Sequence, residues 1–332
     1  MWLKHLGANV IGYSNYTHTN PSMYLDLEIS FGIKQYFGDI CDRKTLLQSV
    51  TNSEPDFIFH LAAQSIVSES YKNPLETIKT NSFGTATLLD VLLDLNFTGV
   101  SIILTSDKCY ENDERKAGYK EMDRFGGRDP YSASKAAAEI FLSSYIRSYF
   151  RDKSNFKIGI ARAGNVIGGG DWNSNRIIVD CVRSWLNNEK VIIRNPNATR
   201  PWQHVLEPLS GYLRLAQSLL TDREINGEAF NFGPSEESIY TVKDIVTKFS
   251  RYWGHKNIEN HMKINHEKFL YESNLLSLNC EKAFEKLSWS PQLNIDDCLR
   301  LVADWYTQYK VDPRGLSAIT YDQIKYYETR SE

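Results

Sequence analysis

Long apolar runs are missing from this 332-residue chain; segments such as 100–104 have the length of a strand, far short of the ~18 residues a membrane-spanning helix needs. The first residues, Met-Trp-Leu-Lys-His-Leu-Gly, lack the continuous apolar segment and small-residue cleavage site of a signal peptide. Cysteine is scarce. Its five positions (Cys41, Cys109, Cys181, Cys280 and Cys298) are odd in number and widely spaced, with no CxxC and no Cys/His pair suited to zinc. That excludes a disulfide framework, gives no metal site and points to a reducing cytoplasm. Neither sign of charge is in marked excess. A formal net charge of -3 offers no basic footprint for nucleic acid or an anionic membrane. What is present is ordinary for a folded protein: 42% hydrophobic, 12% aromatic and 24% charged residues, which excludes wholesale disorder. At about 150 residues per domain the length suits two domains or one large one.

Short apolar runs alternate with helical periodicity through the first half. Residues 3–7 read as a last helical turn stopped by Gly7, followed by a strand over 9–13. Further strands are predicted at 57–60, 100–105 and 157–161, with helices over 75–95 and 131–149. This alternation is the pattern of an α/β fold, a doubly wound parallel sheet with helices on both faces. After Gly170 the pattern becomes less regular, with helices at 177–186, 206–220, 242–252 and 295–309 and strands at 191–193 and 229–232. The chain therefore divides into residues 1–170, a sheet domain, and 171–332, mainly a smaller lobe with some segments crossing back.

Two clusters carry chemistry. In Asp129-Pro130-Tyr131-Ser132-Ala133-Ser134-Lys135, Asp129 suits a helix N-cap and Pro130 the first helical position. Tyr131 and Lys135 then share a face, where an ammonium can draw the phenol down from its usual pKa of about 10 toward that of a general base. A plain surface Tyr–Lys pair has the same spacing. Upstream, the 100–105 strand runs into Ser106-Asp107-Lys108, at the carboxyl end of a parallel strand where ligands bind in open α/β sheets. Ser106 can hydrogen-bond a substrate hydroxyl, Asp107 act as an acid and Lys108 as a base; a solvated turn capped by Asp107 reads equally from the residues alone. In the second lobe Arg176, Arg194 and Arg200 are fixed-charge forks suited to a pyrophosphate. Trp172 and Trp202 offer apolar faces to a sugar or base, and Asn165 and His204 polar anchors. The run Gly168-Gly169-Gly170 reads as a turn that lets backbone approach a ligand.

Ser106 ahead of Tyr131 and Lys135 resembles the triad of the extended short-chain dehydrogenase/reductases. So do His60-Leu61-Ala62-Ala63-Gln64, Asn81-Ser82-Phe83-Gly84-Thr85 and Gly38-Asp39-Ile40. Within that family, Thr105-Ser106-Asp107-Lys108-Cys109-Tyr110 is similar to the sugar-nucleotide 4,6-dehydratases, and the lysine at 108 to their CDP-glucose branch. The segments 162–172 and 194–205 point the same way. The resemblance implies a Rossmann-like NAD-binding domain and a lobe that binds CDP-glucose. Asp39, Ile40, Ala62, Ala63, Gln64, Asn81, Tyr131 and Lys135 would hold NAD. Asn165, Arg176, Arg194, Arg200, Trp202 and His204 would hold the sugar nucleotide. It also implies a cytoplasmic homodimer formed through the helix of Tyr131 and the one before it, to which Ala136 to Ala138, Ile140 and Phe141 would contribute.

The family's phosphate-binding turn, GxxGxxG between the first strand and its helix, occurs nowhere in the chain. It is expected before residue 1, with roughly 20–25 further residues making one strand, the turn and most of a helix. Without that central strand, two strands of the sheet would face a gap. The strand tip Tyr13-Ser14-Asn15 has no acidic residue for the cofactor ribose, so NAD rather than NADP rests on the resemblance. Another sugar-nucleotide dehydratase, an epimerase, or a remnant unable to bind NAD are the alternatives.

Overall fold

Four strands lie side by side and parallel in the computed structural model, which describes residues 1–16, 20–235, 240–265 and 275–331. They are β3 (Phe57–His60), β4 (Gly99–Leu104), β5 (Phe156–Ala163) and β6 (Ala229–Phe232), in the spatial order β6-β5-β4-β3. Val100, Ile102, Ile103, Ile158 and Ile160 are all buried, as unbroken apolar runs require when a parallel sheet is covered on both faces. Two further strands, β1 (Ile11–Ser14) and β2 (Lys34–Phe37), form a separate parallel pair with Gly12 opposite Gln35. A cavity of about 1720 Å3 lies between β1 and β3, lined by residues of both strands and by Gly38, Asp39, Ile40, Ala62, Ala63 and Gln64. The sheet is thus in two pieces, with a gap where the sequence reading placed it.

The helix predicted over 75–95 is a composite: Pro74–Ile78, a π-helical stretch Lys79–Phe83, then α1 (Gly84–Asp94). The wide turn brings Asn81 and Ser82 inward, where they bond Ser134 of α2 (Pro130–Tyr145). That helix begins as its sequence demands. Asp129 accepts from the Ser132 backbone N–H at 2.9 Å and its hydroxyl at 2.6 Å, with Pro130 in the first turn. It too runs on into a π turn, Ile146–Phe150. Leu88, Leu89 and Leu92 of α1 and Leu142 of α2 pack with Ile103, Ile158 and Ile160 on one face of the sheet.

The opposite face is covered by α3 (Leu206–Thr221), whose Leu215, Ala216 and Leu219 meet Val100, Ile102, Ala161 and Phe230. Both α3 and β6 come from beyond residue 171, so the second half crosses back into the sheet. The remaining lobe has its own core of Trp172, Ile178, Trp185, Ile193, Phe249 and, from α4 (Ile295–Val311), Leu299, Val302 and Trp305. Several elements escaped the sequence reading, among them β2, the helices Arg43–Ser53, Val67–Lys72 and Glu281–Leu287, and the helix Leu316–Ser331. Each has weak apolar patterning; the last buries polar Thr320 and Gln323 beside Leu316, Ile324 and Tyr327.

All five cysteines are free thiols. Among the described residues no helix is long and apolar enough to cross a membrane, and no group of three or more His, Cys, Asp or Glu could hold a metal ion. On α2, Ala136 and Ala138 face the protein's own core rather than outward; the exposed apolar side chains there are Ile140 and, from the neighbouring segment, Phe83. Phe83 lies with its ring centroid 6.1 Å from that of Phe141.

Candidate active site

The carboxyl end of β4 turns sharply at Ser106, and residues 107–109 make one 3-10 turn packed on α2. Ser106 caps this turn, its Oγ accepting from the Lys108 backbone N–H at 3.2 Å and donating to Asp107 Oδ1 at 2.9 Å. Across from it, Tyr131 and Lys135 stand one helical turn apart and both are buried. The fold therefore brings Ser106, Asp107, Tyr131 and Lys135 together, with Lys108 half-buried beside them.

Asp107 is 2% exposed, and its Oδ2 has no hydrogen-bond partner among the described residues. Burial raises its pKa, against the pull of Lys108, the Ser106 hydroxyl and Arg200. A carboxyl in that setting holds its proton above the usual range and can donate it. Burial also pushes Tyr131 up to about 12, opposed by the Ser106 hydroxyl and Arg176. The lowering by Lys135 expected from sequence is not what the fold produces, because desolvation of the phenol dominates. Lys135 is itself held down to about 8 by burial, with Cys109 and Glu139 pulling the other way.

The cofactor-side residues cluster as expected, with one change of role. Asp39, Ile40, Ala62, Ala63 and Gln64 line the cavity between β1 and β3. Asp39 Oδ1 accepts from the Cys41 N–H at 2.8 Å, and Lys79 lies 3.8 Å from its Oδ2. Asn81 is committed to protein partners. Its Oδ1 accepts from Gln64 N at 2.8 Å, while its Nδ2 donates to Gln64 O at 3.0 Å and Ser134 Oγ at 2.9 Å. It fixes the 62–64 turn against α2. At the β1 tip, Ser14 Oγ accepts from Gln35 Nε2 and Asn15 Oδ1 from Tyr16 N.

The lobe residues divide. Arg200 is buried and close enough to Asp107 to oppose the rise in its pKa. Arg176 spans from Asp171 (2.6 Å) to Ser65 (2.7 Å), clamping the lobe to the loop after β3. Arg194 is exposed and donates to Asn175 Oδ1 at 3.2 Å; Asn165 is half-buried just after β5. Trp172 and Trp202 belong to the lobe's apolar core, with Trp202 Nε1 donating to Tyr240 O at 3.2 Å. His204 is also a core residue. Its Nδ1 accepts from Leu206 N and burial depresses its pKa to about 4, so it is neutral. The Gly168-Gly169-Gly170 turn serves packing rather than a ligand, since a Cβ on Gly169 would lie 2.1 Å from Trp305 and one on Gly170 2.7 Å from Met23.

Residues outside the sequence-derived set also build the site. Glu139, four positions beyond Lys135, is paired with Arg162 of β5, and Gln203 Nε2 donates to the carbonyls of Gly164 and Phe232. Only the i+4 spacing of Glu139 from Lys135 was a visible sign, and spacing alone does not name a partner on another strand.

With this geometry the similarities to known proteins take on meaning. Residues 3–302 match the GDP-mannose 4,6 dehydratase family. The CDP-glucose 4,6-dehydratase of Salmonella typhimurium is 41% identical over 311 residues, spanning 92% of this chain and 86% of that protein. The fold is shared with a double mutant of the dTDP-glucose 4,6-dehydratase DesIV from Streptomyces venezuelae, whose structure holds NAD, at a TM-score of 0.78, 20% identity and 92% coverage of each chain. It is shared equally with the UDP-glucose 4-epimerase of Bifidobacterium longum in complex with NAD+ and UDP, at a TM-score of 0.78, 21% identity and coverage of 95% and 94%. A sheet of this topology with the Ser106–Tyr131–Lys135 arrangement at its carboxyl edge, matched over nearly the whole chain, places the protein in the GDP-mannose 4,6 dehydratase family.

Proposed function

We propose that the protein dehydrates CDP-D-glucose to CDP-4-keto-6-deoxy-D-glucose with NAD as a transient oxidant. The observation that carries the reading is the buried carboxyl of Asp107 beside Ser106 and Lys108, whose pKa burial raises. An epimerase has no step that requires such an acid.

The residues present fit the two ends of a dinucleotide. Asp39 and Ile40 would hold the adenosine end and Tyr131 and Lys135 the nicotinamide end, with Ala62–Gln64 between; Asp39, Ile40 and Ala62–Gln64 line the gap between β1 and β3. The fit does not extend to the pyrophosphate, for which this chain carries no GxxGxxG turn. When bound, NAD supplies a reversible two-electron acceptor and a positive ring that favours the tyrosinate. Tyr131 takes the proton of the sugar C4 hydroxyl, which Ser106 orients. The ketone formed at C4 acidifies the C5 proton, which Lys108 removes. Asp107 would give its proton to the C6 hydroxyl as water leaves across C5–C6; the hydride given up at C4 would then be returned at C6 and the proton held by Lys108 at C5, leaving no net redox change. Arg176, Arg194 and Arg200 bind the pyrophosphate of the substrate. Because Arg176 is engaged with Asp171 and Ser65, substrate phosphate would compete with that clamp.

The five free thiols favour a cytoplasmic setting, and exposed Ile140 and Phe83 on adjoining helices favour a homodimer through α2 and the segment before α1.

The test is incubation with CDP-glucose and NAD, following loss of water by mass and the 4-keto sugar by its alkaline absorbance. Asp107→Asn is expected to lower kcat about 100-fold or more, the usual worth of a positioned acid. Faster turnover of dTDP-glucose than CDP-glucose would reject the substrate, and a product of unchanged mass epimerised at C4 would reject the reaction. No NAD binding by calorimetry would reject the enzyme reading of this chain.

A further inference from the structure

Glu139 is the third member of the face of α2 that carries Tyr131 and Lys135, at spacings of four and eight residues, and is 2% exposed. Its carboxylate accepts three hydrogen bonds. Oε1 accepts from Arg162 Nε at 2.7 Å and from the Thr105 hydroxyl at 2.5 Å, and Oε2 accepts from Arg162 Nη2 at 2.9 Å. Arg162, on β5, completes the set through Nη1, which donates to the Tyr110 hydroxyl at 2.8 Å and to Glu121 O at 2.9 Å. Tyr110 in turn donates to Asn231 Oδ1 on β6 at 2.7 Å.

The partners are placed tellingly. Thr105 immediately precedes Ser106, and Tyr110 follows Cys109, so the two bracket the turn of Ser106, Asp107 and Lys108. Glu139 ties the start of that turn to α2, and Arg162 ties its end to β5. A buried ion pair of this kind carries a large desolvation penalty, and an apolar pair of similar volume is often as stable or more so. Stability is therefore a poor reason for it here; geometry is a better one.

We propose that Glu139 and Arg162 are positioning residues, which set the spacing between the Ser106–Lys108 turn and the Tyr131–Lys135 helix. Neither reaches the reacting atoms. The inference rests on the dehydratase reading for its kinetic consequence alone, since the spacing itself can be measured without turnover. Glu139 also adds negative charge beside Lys135, which is otherwise faced by Cys109 in the turn and His60 at the end of β3.

Three variants test it: Thr105→Val, which removes one bond to Glu139 and no charge; Tyr110→Phe, which releases the other end of the turn; and Glu139→Gln, which keeps the volume. Amide hydrogen exchange over residues 105–110 is expected to quicken about 10-fold in each, with the thermal midpoint of Thr105→Val and Tyr110→Phe within a few degrees of the parent. In the same proteins kcat should fall about 10-fold or more while KM for the sugar nucleotide changes less than about two-fold, as misplacement of reacting groups predicts. Glu139→Gln should in addition move the pH–kcat profile to lower pH, by removing a negative charge near Lys135; Glu139→Asp should leave the profile in place. Unchanged exchange in Thr105→Val and Tyr110→Phe overturns the proposal whether or not the protein turns over any substrate. So does a rise in KM at constant kcat. If Glu139→Gln does not fold, those two hydroxyl variants decide the matter alone. If the parent protein shows no dehydration, the proposed function fails while the exchange result still decides this one.

Discussion

Gly164 sits where β5 turns toward the cleft. A Cβ there would lie 2.4 Å from Pro201 Cγ and 2.9 Å from Asp107 Oδ2. The proline ring has no rotamer to give way with, so the backbone at 164 or 201 must shift, and the Asp107 carboxyl must yield as well. Gly164→Ala is expected to lower kcat at least about 10-fold while leaving the protein folded, because the reacting acid is displaced by a fraction of its contact distance; kinetics beside a circular-dichroism melt check this, and an unchanged kcat refutes it. At this scale the sequence was informative for residues that come as a local pattern. Ser106, Asp107, Tyr131 and Lys135 lie in two short segments whose helix and turn geometry is dictated nearby. It was misleading for Trp202 and His204, because whether a ring faces a cleft or a core depends on which helix covers it. Trp202 meets Tyr240 and His204 caps Leu206, relations no motif announces.

At the scale of elements, α2 depends on its cap. Asp129 satisfies a backbone N–H and the Ser132 hydroxyl, and Tyr131 is only two positions on. Replacing it by alanine should cost about 1 kcal/mol, the usual worth of an N-cap, read as a lower urea midpoint at unchanged m-value. The cap and the proline after it were legible because helix starts are governed by a few neighbouring residues. The π-helical stretches Lys79–Phe83 and Ile146–Phe150 were not. An inserted residue in a helix is held by what it packs on, here the bonds from Asn81 and Ser82 to Ser134, and those involve another helix. The glycine turn at 168–170 was misjudged for a related reason, since its close approach is to Trp305 and Met23, far along the chain.

At the scale of the whole molecule, burial of neutral histidines makes the fold acid-sensitive. His60 is depressed to about 3, by burial and by Lys135, and His204 to about 4 by burial. Both lie below the value of about 6.5 expected in the unfolded chain, so the unfolded state takes up protons first. Their stabilising effect is complete above that value and declines as pH falls through it toward 4, by about 1.4 kcal/mol per pH unit for each histidine. Asp107, with a raised folded pKa, acts in the opposite sense, its favourable effect being present at low pH and lost as pH rises. The thermal midpoint should hold steady between about pH 7 and 8, below the titration of Lys135, and fall between about pH 6.5 and 4.5, and His204→Gln should flatten the fall; a midpoint constant from about pH 6.5 to 4.5 contradicts it. The sequence by itself determined the α/β class, most of the sheet strands and which residues gather at the end of β4. Those follow from local periodicity and from residue types that few other arrangements require. Tertiary structure decided which segments of the second half, β6 and α3, return to the sheet and which face α3 covers. It alone decided the Glu139–Arg162 pair behind the site and the height of the Tyr131 pKa. Each of these depends on desolvation or on contacts between segments distant in sequence, and neither is set until the chain has folded around them.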